Sequence, residues 1–118
     1  MVRNATMKTT LATSYKTAAA YGALFSADPG TTGAATNEIT GGSPAYARVA
    51  SSWGTVTAGV VSTSGMAFNV ASGTTVAYFG VTTSGTAATA DVQDSVAVTS
   101  QAFASQGTYT VTATYTQS

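Results

Sequence analysis

The chain has 118 residues, enough for one domain and short for two. Only 7 % of residues are charged, against about 25 % in an ordinary soluble domain. Thr occurs 24 times, Ala 23, Ser 13 and Gly 12, whereas Leu occurs twice and Ile once, which excludes a Leu-rich helical bundle. There is no His and no Cys, so His general-base catalysis, a Ser-His-Asp triad, thiolate chemistry, disulfides and Cys zinc sites are all excluded. The four cations Arg3, Lys8, Lys16 and Arg48 balance four acids. They supply no basic stripe for phosphates, and nucleic acid is not an expected partner. No run of about 20 apolar residues is present, so neither is a membrane.

In chain order, Met7, Leu11 and Tyr15 at four-residue spacing predict a short helix capped by Thr6, although three Thr residues within it oppose the helix. Residues 1–17 are therefore read as an N-terminal helix or arm, and residues 18–118 as the main domain. Asn4-Ala5-Thr6 matches a glycosylation sequon, a pattern common by chance. Ala18 to Ser26 reads as a buried strand; the apolar run after Lys8 and Lys16 only faintly mimics a signal peptide. Asp28-Pro29-Gly30 and Gly41-Gly42-Ser43-Pro44 mark loops.

From Ala45 the apolar period becomes two. Strands are expected from Ala45 to Trp53, around Met66-Phe68-Val70, from Thr75 to Thr83, from Val92 to Ser100 and from Thr108 to Thr116. In the last of these, Tyr109, Val111, Ala113 and Tyr115 share one face and five Thr the other. Short strands between Gly and Ser turns point to an all-β fold, a single β-sandwich or barrel-like domain.

No catalytic, cofactor-binding or metal-binding residue is assigned. Asp91 and Asp94 form the only close acid pair, but residues three apart on a strand point to opposite faces, so both read as solvated loop-end acids. Arg48 shares a face with Tyr46. It either contacts a partner, as Arg and Tyr often do at interfaces, or makes an internal ion pair with Glu38 or Asp28. Trp53 reads as a core residue rather than a sugar platform. The Thr face of the last strand is that of an ordinary strand; a single strand is too small for an ice-binding array.

The segment Phe25-Ser-Ala-Asp-Pro-Gly-Thr-Thr-Gly-Ala-Ala-Thr-Asn-Glu-Ile-Thr-Gly-Gly-Ser-Pro-Ala-Tyr-Ala-Arg48 resembles a family of small virion proteins of tailed bacteriophages, common among phages of actinobacteria. Members are labelled head decoration, head fibre, minor tail or tail fibre proteins. The shared pattern is an apolar strand, then ADPG-TG, then NE-TGGS-YAR, then an aromatic residue, here Trp53. Phe68 to Val76 is similar to a following hairpin of the family, so the resemblance spans roughly residues 18–83. Where Phe25-Ser26 stand here, the family often has His.

The resemblance implies a non-enzymatic virion protein without cofactors, foremost a capsid decoration protein. Such a protein would bind the major capsid protein on the outer shell as a homo-oligomer. Arg3, Lys8, Tyr46 and Arg48 are the candidate interface residues. A minor tail or tail-fibre protein contacting the host surface is the alternative, and a secreted adhesin or carbohydrate-binding module the second. Within the motif, Gly41 and Gly42 suit positive φ, and Glu38 lies within loop reach of Arg48. Glu38, Arg48, Gly41 and Gly42 are thus expected to form a structural clasp.

Overall fold

The computed structural model describes residues 4–117; Arg3, one of the candidate interface residues, lies outside them. The described chain is a small β-rich domain with one helix, α1 (Ala5–Ala18). Eight strands follow: β1 (Tyr21–Phe25), β2 (Val49–Ala50), β3 (Val60–Ser62), β4 (Met66–Val70), β5 (Thr74–Thr82), β6 (Val92–Phe103), β7 (Gly107–Val111) and β8 (Thr114–Thr116).

The helix begins two residues earlier than expected. Asn4, not Thr6, is the cap, and its side-chain oxygen accepts from Met7 N at 3.0 Å. Within the helix Thr10 and Thr17 satisfy their hydroxyls by donating to carbonyls four residues back, those of Thr6 and Thr13. Ala12 is buried, and Tyr15 packs against the core. The helix therefore lies on the chain's own strands rather than standing away as a free arm, and it runs one residue past the expected boundary at 17.

Strands β2-β1-β5-β6 form one antiparallel sheet in that order. Two further ladders, β3 with β8 and β4 with β7, follow each other along residues 60–70 and 107–116. The expected last strand is thus split at Thr112 and Ala113. There Thr63 bonds Ala113 twice, donating its N–H to the carbonyl and accepting the amide at its hydroxyl, each close to 3 Å. The alternation survives the break: Tyr109, Val111, Ala113 and Tyr115 are partly buried and the five Thr are exposed.

Met66, Phe68 and Val70 of β4 pack with Leu24 of β1 and Val76, Phe79 and Val81 of β5. A buried side chain of this size contributes about 1.5–3 kcal/mol. Gly22 of β1 makes that packing possible: a Cβ there would lie 2.9 Å from Met66 Sδ and 3.0 Å from both Phe68 and Phe79. The expected strand from Ala45 to Trp53 pairs in the sheet only at Val49–Ala50. Residues 45–48 keep the exposed–buried alternation but not the ladder. Period two reports extended backbone, and hydrogen-bonded pairing is a separate condition.

Candidate functional site: a buried arginine clasp

Strand β1 positions two otherwise separate loops. On its outer edge, β2 pairs with Tyr21 and Gly22, which brings Arg48 alongside. Further along, Ile39 N donates to Leu24 O, Ser26 N donates to Asn37 O, and Glu38 bridges Phe25. The excursion from residue 39 to 47 thereby returns on itself. Asn37 turns the chain with φ +67°.

Glu38 and Arg48 meet in a two-pronged contact. Arg48 Nε donates to Glu38 Oε2 at 2.9 Å, and Nη2 donates to Oε1 at 3.0 Å. The remaining donors reach the β5–β6 connection. Nη1 donates to Asp91 Oδ1 at 2.8 Å and to Ser84 O at 3.0 Å, and Nη2 donates to Thr89 O at 3.0 Å. The Arg48 side chain is 0 % exposed and that of Glu38 3 %. Buried charges persist only when paired and hydrogen-bonded, and both Arg48 and Glu38 meet that condition.

Two other groups complete the carboxylate's shell. Tyr46 donates its hydroxyl to Glu38 Oε2 at 2.6 Å while accepting from Leu24 N at 3.2 Å, and Ala88 N donates to Glu38 Oε1 at 2.8 Å. Burial pushes the Glu38 carboxyl up, but the hydrogen bonds from Arg48, Tyr46 and Ala88 outweigh it, and the group sits below its ordinary value. Asp91 is likewise lowered: a desolvation penalty is outweighed by Arg48, Ser84 N and Thr83. The Tyr46 phenol is pushed up, first by burial and then by the Glu38 carboxylate it donates to.

Gly41 and Gly42 adopt φ +85° and +102° and shape the loop beside this cluster without touching its charges. Gln106 holds that loop from the other side, accepting from Ser43 N and donating to Pro44 O, both at 3.1 Å. The Ser43–Pro44 peptide is cis.

The candidate interface residues fare differently. Tyr46 and Arg48 are buried and engaged internally, so neither offers a surface to a partner. Lys8 is half-buried on α1. Of the two expected ion-pair partners for Arg48, Glu38 is used and Asp28 is not; Asp28 instead accepts from Gly30 N at 2.8 Å.

The expectation of two solvated acids holds for Asp94, which is exposed although it lies on β6 and accepts from the Tyr15 hydroxyl at 2.8 Å, and is corrected for Asp91, which belongs to the clasp. Asp91 lies 43 residues from Arg48, and no local pattern signals that pairing. Trp53 is half-buried beside the core, its Nε1 donating to Ala19 O at 2.8 Å and its ring edge-on to Tyr15.

Chemically, the arrangement locks, with one guanidinium tying two carboxylates from separate loops. Each of the four carboxylates accepts at least one hydrogen bond from within the chain. Among the described residues no group of three or more acidic or other metal-ligating side chains is placed to hold a metal ion, and no helix is long and apolar enough to cross a membrane. Comparison with protein families, curated proteins and solved structures found no match.

Proposed function

We propose that this chain is a non-enzymatic structural protein of a tailed-bacteriophage virion, foremost a capsid decoration protein that binds the major capsid protein on the outer shell as a homo-oligomer. One observation carries the reading: the most distinctive stretch, residues 25–48, folds into an internal clasp whose charges face each other. Such a motif preserves a shape and leaves no free acid–base pair behind. In this reading the four-stranded sheet and the paired segments 60–70 and 107–116 are the two layers of a β-sandwich. The resemblance of residues 18–83 to phage virion proteins supplies the virion context. The composition suits it as well, because a nearly uncharged Thr- and Ala-rich surface resists association with copies only weakly. The mechanism is cementing: apolar and hydroxyl surface buried across neighbouring capsid subunits adds stability without a chemical step.

The test is to mix the purified protein with bare capsids assembled from the major capsid protein of the encoding phage. Co-sedimentation that saturates at a fixed ratio, with a higher capsid melting temperature, is the expected outcome. No co-sedimentation, with adsorption to host cells instead, would favour the tail-fibre alternative.

A further inference from the structure

A cleft of about 430 Å³ opens between β6 and the β7–β8 segment, away from the clasp. Its floor is Phe79 and Val81, and Tyr15 and Trp53 also line it. Two features distinguish it from an ordinary surface dent.

The first is that strand edges line it on both sides. Strand β6 is last in its sheet, and β7 and β8 each have a single partner. All three residues of β8, Thr114 to Thr116, line the cleft, as do Val111 of β7 and the intervening Thr112 and Ala113. Side chains of successive strand residues point to opposite faces, so three consecutive residues of β8 line a cleft only where the strand presents its edge. Asp94, Ser95 and Val96 do the same from β6. Val96 pairs with Phe79, whose side chain is buried in the core, yet Val96 itself is 57 % exposed. The core-side face of the sheet is therefore uncovered at this point.

The second feature is charge. Asp94 is the one charged residue lining the cleft. Its bonds are to Tyr15 Oη and to its neighbour's amide, Ser95 N, so no cation neutralises it in the described structure. The adjoining Tyr15 ring, stacked on Tyr115 at 3.8 Å, adds aromatic surface next to that carboxylate.

We propose that this cleft is a strand-addition site for an extended segment of a partner protein, about five residues long, with apolar side chains facing Phe79 and Val96 and a Lys or Arg opposite Asp94. Main-chain hydrogen bonds to the two open edges hold the segment, and the apolar floor and the carboxylate select it. The length follows from the Asp94–Val98 stretch of β6 that borders the cleft, at about 3.4 Å per residue. A cation is selected because an acidic segment would bring a second uncompensated negative charge against Asp94. The inference goes beyond a virion role and stands or falls independently of it.

Trp53 is the single tryptophan and lines the cleft, so its emission reports occupancy. The probes are capped pentapeptides of sequence VTVTK and VTVTE, whose Val and terminal charged side chains share one face as Val96 and Asp94 do, and VTVTK with one N-methylated valine, each titrated to about 2 mM. VTVTK is expected to change Trp53 emission saturably, and the N-methylated form not to, because between two edges every peptide N–H is needed. VTVTE is expected to bind more weakly than VTVTK, and Asp94→Asn to weaken VTVTK by about two- to fivefold. No saturable change, equal binding of the Lys and Glu peptides, or unchanged binding by the N-methylated peptide would each overturn the proposal. So would a stable dimer abolished by Val96→Arg, which would make a second copy the occupant. Capsid co-sedimentation is a separate readout, so failure of this proposal and failure of the virion reading are told apart.

Discussion

Replacing Arg48 with Met keeps the length and apolar stem of the side chain and removes its charge. Five hydrogen bonds disappear: two to Glu38 and one each to Asp91, Ser84 O and Thr89 O. The cost concentrates on Glu38, whose side chain is 3 % exposed, because Asp91 is 13 % exposed and keeps Ser84 N and the Thr83 hydroxyl. Removing one partner of a buried pair costs about 3–5 kcal/mol. Tyr46 and Ala88 still donate to Glu38, which places R48M at the low end, about 3 kcal/mol. For a domain of this size that is a fall in Tm of about 12 °C. In urea, with a slope of about 2 kcal/mol/M, the midpoint falls by about 1.5 M. Trp53 fluorescence follows the transition. The double variant E38Q/R48M is expected to lose less than the two single losses combined, since the neutral amide no longer needs the cation. A Tm for R48M within about 2 °C of the parent, well below the shift such a loss implies, would refute the reasoning.

Other consequences follow from the same geometry. Glu38 and Asp91 are both held below their ordinary values, so their contribution to stability is complete above about pH 5, where the unfolded carboxyls are also ionised, and is lost as pH falls below about 4; urea midpoints at pH 7 and pH 3 should differ, and E38Q should narrow the difference. Tyr46→Phe removes the donor to Glu38 and leaves Leu24 N without its acceptor, a loss of about 1–3 kcal/mol readable in the same urea experiment. Gly22→Ala drives a methyl group into Met66, Phe68 and Phe79 and is expected to cost about 1–3 kcal/mol, with a calorimetric Tm as the check.

How far the sequence discloses these features depends on the range of the interaction. Strand β4 and the alternation of residues 108–116 are legible because period two is a local signal read against one buried face, and β5 is legible as an apolar run buried on both faces, as a central strand is. The helix is legible from its spacing, but its start is not, since Asn4 and Thr6 are both competent caps and the choice rests on which hydroxyl or amide meets Met7 N. The ten-residue separation of Glu38 and Arg48 falls within a single loop, so charge and reach suffice to suggest the contact. Asp91 is drawn in by sheet topology: β6 returns beside β5, and only then does the 83–91 connection lie against Arg48. The same long-range placement turns Tyr46 and Arg48 inward, although their residue types suit an interface. The break at Thr112 and Ala113 is set by Thr63 on another strand and leaves no mark in the local pattern.

The proposed role, a many-copy virion component that works through buried surface and not through chemistry, makes a stoichiometric prediction. Quantitative mass spectrometry of purified virions, with the major capsid protein as internal reference, measures it. The expected result is a copy number comparable to that of the capsid protein. A copy number lower by one or two orders of magnitude would assign the chain to the tail, and its complete absence from virions would contradict the account.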